Sequence, residues 1–191
     1  LCLRLRPKPQ EQRTMPTKIL FLKADITEMA VDAIVNPANT DLTMDAGVAA
    51  AIRCKAGERI EQECERLAPI RLGETAVTSG AKLKALFVIH AASMRPGEKA
   101  TADSLRLATH ASLMRAEEKG IRSMAFPAIG TGAAGFSMAE CAPIMLKSVL
   151  EHTKVRTSLE KIYFVLFDDA ALKAFEEAYQ RLTGRPAARA L

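Results

Sequence analysis

Residues 125–136 read Ala-Phe-Pro-Ala-Ile-Gly-Thr-Gly-Ala-Ala-Gly-Phe, an apolar segment that runs into a loop of small residues. Residues 137–140, Ser-Met-Ala-Glu, have the spacing of a capping box, which predicts a helix beginning near Met138. The three glycines of the Gly-x-Gly-x-x-Gly pattern permit positive φ, and they let an anion approach the backbone N–H groups at the start of that helix. The run therefore predicts a strand, an anion-binding loop and a helix in succession.

A second unit of the same kind lies earlier in the chain. Residues 25–27 read Asp-Ile-Thr, residues 34–39 read Ile-Val-Asn-Pro-Ala-Asn, and residues 45–49 read Asp-Ala-Gly-Val-Ala at the start of a helical pattern. Backbone N–H groups left bare by such loops attract anions. If both loops lie at the same edge of one sheet, they form a cradle of the size of a diphosphate.

The remaining pattern alternates strands with helices. Strands are predicted at 19–24, 33–36, 75–79, 86–91, 123–127 and 162–167, and helices at 47–55, 58–67, 101–119, from 138, and 168–182. This alternation predicts a three-layer α/β/α sandwich with a central mixed β-sheet. We expect a flexible basic N-terminal tail over 1–16, one domain over 17–183 and a C-terminal tail over 184–191.

The net charge of +5 is located in the tails. Residues 1–14 hold four basic residues and one acidic residue, residues 184–191 hold two basic residues, and the 21 basic and 21 acidic residues of 15–183 cancel. The predicted domain therefore lacks the positive charge that would indicate nucleic acid as the main partner. A tail that helps a partner to dock stays an alternative.

Targeting and metal-binding signals are not found. No apolar run reaches the roughly 18 residues that span a bilayer, and no signal peptide is recognised, so we expect a cytoplasmic protein with no membrane partner. The four cysteines form no CxxC pair and no zinc-ligand spacing with the three histidines, so reduced thiols, no metal and no cofactor are expected. A nicotinamide-dependent dehydrogenase is also disfavoured, because its glycine fingerprint follows the first strand of the fold, with an acidic residue on the next strand.

Four ordered motifs resemble the macrodomain family, whose members bind ADP-ribose. The family signatures Gly-Asp-Ile-Thr and Asp-Ala-Ile-Val-Asn-x-Ala-Asn correspond to Ala-Asp-Ile-Thr at 24–27 and Asp-Ala-Ile-Val-Asn-Pro-Ala-Asn at 32–39. Phe-Pro-Ala-Ile-Gly-Thr-Gly at 126–132 and Tyr-Phe-Val-Leu-Phe-Asp at 163–168 also look like family elements. The resemblance covers residues 18 to 182 and is nearest to the branch that contains histone-variant macrodomains.

The resemblance implies a role for several side chains. Asp25 would accept a hydrogen bond from the adenine amine, which guanine lacks at that position, with a role as a helix cap or turn residue as its alternative. Ile26 would give its N–H to the ring. Phe167 would stack on adenine, with packing in the core as its alternative. Asn39 would bind the distal ribose, whereas Asn36 would hold the loop through backbone groups.

The two loops would bind the diphosphate and the distal ribose. The glycine loop would use its N–H groups and the Thr131 hydroxyl, and Phe136 would cover the distal ribose. The residues implied in the two loops are Asp45, Gly47, Val48, Gly130, Thr131, Gly132, Ala133, Ala134, Gly135 and Phe136.

The first loop departs from the three glycines that are common in the family. Asp45 would cap the following helix, or repel a diphosphate, or grip a ribose hydroxyl. Ala49 stands where one hydrolase branch has a catalytic Asp, and Lys55 does not clearly match the Lys of another branch. His90 lies in an apolar strand and is expected to be structural.

Three functions remain open at this point. We expect binding of ADP-ribose, either free or attached to a protein. The alternatives are an enzyme that removes ADP-ribose from proteins or deacetylates O-acetyl-ADP-ribose, and a module that binds adenine-rich nucleic acid.

Overall fold

The computed structural model describes residues 16–132 and 135–190, and within them a seven-stranded sheet forms the centre of the fold. The strand order is β3-β4-β2-β5-β6-β1-β7, and β3 is antiparallel to β4 whereas the other pairs are parallel. The strands are β1 (Lys18–Lys23), β2 (Ala33–Asn39), β3 (Thr75–Ser79), β4 (Phe87–Met94), β5 (Ser123–Phe126), β6 (Lys161–Leu166) and β7 (Ala188–Arg189). The predicted mixed sheet is confirmed.

Helices cover both faces of this sheet. They are α1 (Gly47–Ala56), α2 (Glu58–Leu67), α3 (Ala102–Glu118), α4 (Met138–His152) and α5 (Asp169–Thr183), with a 3₁₀ helix, η1, at Ile26–Glu28. On one face, α3, α4 and α5 pack on a core with stacked aromatic rings, Phe21, Phe126, Phe164 and Phe175 among them. On the other face, η1, α1 and α2 pack on a core of smaller side chains. The three-layer α/β/α sandwich is therefore confirmed.

Helix starts show where local sequence decided the structure and where it did not. The Thr101 side chain accepts from the Ser104 N–H and the Ser104 hydroxyl accepts from the Thr101 N–H, so the predicted cap of α3 is present as a full capping box. The predicted capping box at Ser137 is wrong. There the Glu140 N–H donates to the backbone carbonyl of Ser137 at 3.2 Å, so the serine side chain makes no cap hydrogen bond.

Two strands are longer than predicted, and a further one lies in the segment predicted as a tail. β2 continues to Asn39 and β4 to Met94, because each pairs along its length with the other. Ala188 and Arg189 pair with Leu20 and Phe21 of β1. Arg189 also makes a bidentate ion pair with Glu176 of α5, at 2.6 and 2.9 Å. The predicted N-terminal tail lies outside the described residues except for Pro16.

The described helices give no indication of a membrane span: none of those between residues 16 and 190 combines the length and the apolar character that crossing a bilayer needs.

Candidate ligand-binding cleft

At two places along the carboxyl edge of the sheet, the chain leaves neighbouring strands toward opposite faces. After β2 the chain enters α1 on one face, and after β5 it enters α4 on the other. The same divergence separates β6, which leads to α5, from β1, which leads to η1. Ligands of open α/β sheets bind at such switch points. The strand order thus brings the two predicted loops to one edge of the sheet, which is the condition stated above for a cradle.

Asp25 and Phe167 follow the ends of two adjacent parallel strands. Lys23 of β1 is in register with Leu166 of β6, and the Ala24 N–H donates to the Leu166 carbonyl at 3.1 Å. The next residues along each strand are therefore neighbours at the sheet edge. The backbone therefore brings Asp25 and Phe167, the two residues predicted to bind adenine, to the same part of the sheet edge.

Phe167 is 93% exposed. The alternative of packing in the core is therefore wrong. Its neighbours in β6, Phe164 and Val165, are buried, whereas Phe167 lies one residue beyond the strand and turns into solvent. An aromatic ring with this much exposed surface is unusual. Covering the ring with a flat partner would remove apolar surface from water and so lower the free energy.

Asp25 has the capping role that its alternative interpretation gave it. Its Oδ1 accepts from the N–H of Thr27 at 2.9 Å and from the Thr27 hydroxyl at 2.7 Å, which fixes the start of η1. Within the described part of the chain, Oδ2 accepts no hydrogen bond. The Ile26 N–H is the first of η1 and so has no partner inside the helix. One carboxylate oxygen and one N–H group thus remain for a ligand.

The two asparagines of β2 make different contacts. Asn39 holds the loop: its Oδ1 accepts from the N–H groups of Asp41 (3.1 Å) and Thr43 (3.2 Å), and its Nδ2 donates to Thr43 Oγ1 at 2.7 Å. The amide that was predicted to bind the distal ribose is therefore engaged within residues 39–43. A ribose hydroxyl would have to share its remaining capacity.

Asn36 does not bond backbone groups, so that prediction is wrong. It is fully buried between the sheet and α2, and its Nδ2 lies 3.1 Å from His90 Nδ1. Its Oδ1 is the buried side-chain oxygen that has no hydrogen-bond partner in the described structure. The side chain faces the core because Asn36 alternates with Val35 and Pro37 along β2, and the α2 side of the sheet lies under it.

His90 is structural, as predicted. It is fully buried, Thr78 Oγ1 lies 2.9 Å from its Nε2, and the Cys64 thiol lies 3.6 Å from the same atom. Burial lowers the pKa of His90 to about 4, so the ring is neutral at physiological pH. Burial also raises the pKa of the Cys64 thiol to about 12, so it is not a nucleophile.

Asp45 does not cap α1, which corrects one of the interpretations given for it. Ala46 is the residue before the helix, and no side chain of the described structure accepts from the first N–H groups of α1. Asp45 instead lies 3.8 Å from Arg53 Nη1, measured from its Oδ1. Gly47 has φ of +56°, a conformation that favours glycine, and it is exposed next to half-buried Val48. The helix start is therefore open to an anion.

Arg53 and Glu61 are functional candidates that the sequence reasoning missed. Arg53 Nη1 donates to Glu61 Oε1 at 3.0 Å, so the guanidinium is held between α1 and α2 beside Asp45. The hydrogen bond that Arg53 donates to Glu61 is the main reason why the pKa of Arg53 is raised, and the charge of Asp45 adds to it. Their spacing in the sequence gives no signal, because the contact depends on the angle between two helices.

The glycine loop bends back on itself. The Phe136 N–H donates to the Gly130 carbonyl at 2.9 Å, and the Gly135 N–H donates to the Gly132 carbonyl at 2.9 Å. Gly130 (φ +77°) also faces Ala100, and a Cβ there would lie 3.0 Å from the Ala100 Cβ. Thr131 Oγ1 donates to the Ala128 carbonyl at 3.0 Å, so the hydroxyl proton that was predicted to reach the diphosphate is used inside the loop.

The ligand-binding roles of four further residues of this loop stay predictions. Gly132 has no positive φ, so the conformational reason given for the glycines does not apply to it. It is exposed with open space around its Cα, so the second reason, close approach of an anion, still applies. Phe136 is half-buried against the α3–α5 core. Ala133 and Ala134 lie outside the described residues.

Glu28 of η1 makes ion pairs with two lysines. Its two oxygens lie 2.8 Å from the ammonium groups of Lys55 and Lys84. These two ammonium groups lower the pKa of Glu28 to about 2, the hydrogen bond from Lys55 being the largest cause. The ammonium group of Lys55 therefore contacts η1 across an exposed ion pair. The described residues contain no group of three or more His, Cys, Asp or Glu side chains that could hold a metal ion.

Comparison with known proteins gives a consistent result. The family model described as Macro domain matches residues 35–145. A protein of Saccharolobus solfataricus is 40% identical over 169 residues, which cover 86% of this chain and 94% of that protein. A Macro domain-containing protein of Chlorobaculum tepidum is 37% identical over 168 residues, covering 86% and 98%.

Longer relatives and solved structures match as well. A Mycobacterium tuberculosis protein is 40% identical over 158 residues, 83% of this chain, and the chain spans less than half, 44%, of that relative's length. The Oceanobacillus iheyensis macrodomain with ADP has a TM-score of 0.79 at 25% identity, covering 86% of this chain and 90% of that one. The Trypanosoma brucei macrodomain in complex with ADP-ribose has a TM-score of 0.77 at 29% identity, covering 83% and 68%.

Proposed function

The chain belongs to the macrodomain family, and on that premise we propose that it binds ADP-ribose, free or attached to a protein, at the carboxyl edge of its sheet. The observation that carries the proposal is the exposed ring of Phe167, which directly follows β6 beside the parallel strand β1 that leads to Asp25. Related macrodomains were solved with ADP and with ADP-ribose, which supports a ligand of this class.

At the adenine end, three groups suit the base. The bare Phe167 ring offers a stacking surface, which contributes about 1–3 kcal/mol per base. Asp25 Oδ2 can accept from the exocyclic amine of adenine, whereas guanine presents a carbonyl there and would be repelled. The Ile26 N–H can donate to a ring nitrogen.

At the diphosphate end, backbone groups replace basic side chains. The start of α1 carries N–H groups without a side-chain cap and the positive end of the helix dipole. The glycine loop follows β5, the strand next to the one that leads to α1. This arrangement suits a ligand with two phosphates between two nucleoside-like ends. It also explains why binding would not need the basic tails.

Binding is favoured over hydrolysis by the residues at the predicted distal ribose. Ala49 presents a methyl group where a water-activating carboxylate would be needed, and it is buried. The Asn39 amide is engaged in its own loop. Neither side chain can therefore act as a base toward water.

Isothermal titration calorimetry tests the proposal. ADP-ribose should give heat, AMP should bind more weakly, and GDP-ribose much more weakly. Phe167→Ala should weaken ADP-ribose by about 1–3 kcal/mol through lost stacking. The matched control is Leu86→Ala, an equally simple truncation of a side chain that is 62% exposed at the opposite edge of the sheet, and it should leave affinity unchanged. No heat at millimolar ADP-ribose would refute the proposal.

A further inference from the structure

The carboxylate of Asp45 lies between two positive poles. One is the start of α1, whose first residue is Gly47; the other is the guanidinium of Arg53. An aspartate commonly accepts a hydrogen bond from the N–H two residues further along, so a bond to the Gly47 N–H is the ordinary outcome for this sequence. The described structure has no such bond, and Asp45 Oδ1 lies 3.8 Å from Arg53 Nη1 instead.

Arg53 is itself fixed by a second contact. Its Nη1 donates to Glu61 Oε1 at 3.0 Å, which ties the guanidinium to α2. The Arg53 side chain is 39% exposed and that of Asp45 is 75% exposed, so Asp45 is the partner with freedom to turn. A pair as exposed as this adds little to stability. The effect of this ion pair is instead on the direction in which the Asp45 carboxylate points.

We propose that Arg53 is a positioning residue for ligand binding, because it holds the Asp45 carboxylate away from the N–H groups at the start of α1. Those groups then stay open to the diphosphate of the ADP-ribosyl ligand, so the inference rests on the function proposed above. Without Arg53, the carboxylate turns onto the N–H groups of Gly47 and Val48 and becomes an internal competitor for the ligand phosphate. An anion can thus bind at the start of α1, next to Asp45, only while Arg53 holds the Asp45 carboxylate away from it.

A double-mutant cycle in calorimetry with ADP-ribose separates this role from direct binding. Arg53→Met keeps the unbranched stem and removes the charge, and it should weaken ADP-ribose about fivefold, the effect of a cap of ordinary strength that the ligand must displace. In an Asp45→Ala background the same change should alter affinity less than about twofold, because the competitor is gone. Equal weakening in both backgrounds would mean that Arg53 acts on the ligand directly, and would overturn the proposal.

Arg59→Met is the matched control. It makes the same charge change on α2, where Arg59 Nε pairs with Glu63 Oε1 at 2.9 Å, and it leaves Arg53 beside Asp45, so ADP-ribose affinity should not fall. A loss as large as that of Arg53→Met would show that the loss of a positive charge, and not the position of Asp45, governs binding.

A second measurement needs no ligand. In the free protein, amide hydrogen exchange of Gly47 and Val48 should slow about fivefold in Arg53→Met, as expected for newly capped N–H groups, and should return to the wild-type rate when Asp45→Ala is added. Unchanged exchange would overturn the inference even if ADP-ribose binds normally. If wild-type protein gives no heat with ADP-ribose but the exchange rates change as stated, the proposed function fails and the control of Asp45 by Arg53 stands.

Discussion

Asp25 Oδ1 accepts two hydrogen bonds from Thr27, one from its N–H at 2.9 Å and one from its hydroxyl at 2.7 Å. The carboxylate therefore holds η1 in place with one oxygen and presents the other at the edge of the cleft. Removing the side chain would disturb both roles at once. The variants that test them have to separate folding from ligand selection.

Asp25→Asn separates the two roles. Its side-chain oxygen can still cap η1, so the midpoint of thermal unfolding should stay close to wild type. The neutral amide can no longer offer a carboxylate to the adenine amine, so ADP-ribose should bind about 1–3 kcal/mol more weakly. Asp25→Ala should lose both properties, with a cost to stability of about 0.5–2 kcal/mol from the missing cap. Calorimetry and thermal unfolding of the two variants check this.

Thr27→Val is the control for the first prediction. It removes the hydroxyl contact and keeps the N–H bond, so it should lower stability slightly while ADP-ribose affinity stays at the wild-type value. Equal affinity for ADP-ribose in wild type and Asp25→Asn would contradict a role for this carboxylate in binding adenine.

Replacing Asp45 and Ala46 together with glycine restores a loop like that common in the family. ADP-ribose should bind about two- to fivefold more tightly, the scale of one charge near a helix terminus. The free protein should be less stable, because two glycines raise the entropy of the unfolded chain; no cap is lost, since Asp45 makes none in the described structure. Weaker binding would identify Asp45 as a ligand contact, and a carboxylate beside the distal ribose would then strengthen the case for a hydrolase.

Neutral His90 makes stability depend on pH. Its pKa is lowered by burial from 6.5 to about 4, so the unfolded chain binds a proton between these values that the folded chain does not. Stability from this residue is thus complete above pH 6.5 and is lost as pH falls toward 4, by about 3 kcal/mol in all. Urea unfolding at pH 7.5, 6 and 5 measures the loss. Stability that is flat over this range would contradict a neutral buried ring.

Glu117 of α3 predicts a second loss at lower pH. Partial burial acts to raise its pKa, but hydrogen bonds from Thr157, Ser158 and His152 outweigh this, and the pKa of Glu117 lies below its ordinary value of 4.5. A lowered carboxyl pKa stabilises the fold above 4.5, and the contribution disappears as pH falls through the folded-state value. Urea unfolding of Glu117→Gln should therefore show lower stability at pH 7 and a smaller further loss between pH 4.5 and 3.

Glu118→Gln is the matched control, because it makes the same charge change on the same helix turn. It breaks an exposed ion pair with Arg115 and leaves the contacts to residues 152–158 intact. It should cost less stability than Glu117→Gln. If both variants behave alike, the charge change and not the hydrogen-bonded cluster determines the effect.

The sequence by itself determined the architecture and the edge at which the candidate cleft lies. Alternating β and α periodicity, with glycine at loop ends and a threonine cap at Thr101, specifies element type from neighbours within a few residues. Since carboxyl ends of parallel strands meet at one edge, the order of strands and loops along the chain also favours a shared edge for the two predicted loops.

Tertiary structure decided what each polar side chain does. Asn36 and Asn39 have the same chemistry, yet the pleat of β2 buries one against His90 and leaves the other to close residues 39–43. Asp45 fails to cap α1 because Arg53, held by Glu61 from another helix, offers it a charge that no local pattern announces. Which side chains form hydrogen bonds depends on distances of a few ångströms between segments that are far apart in the sequence. Only the packing of the folded chain sets those distances.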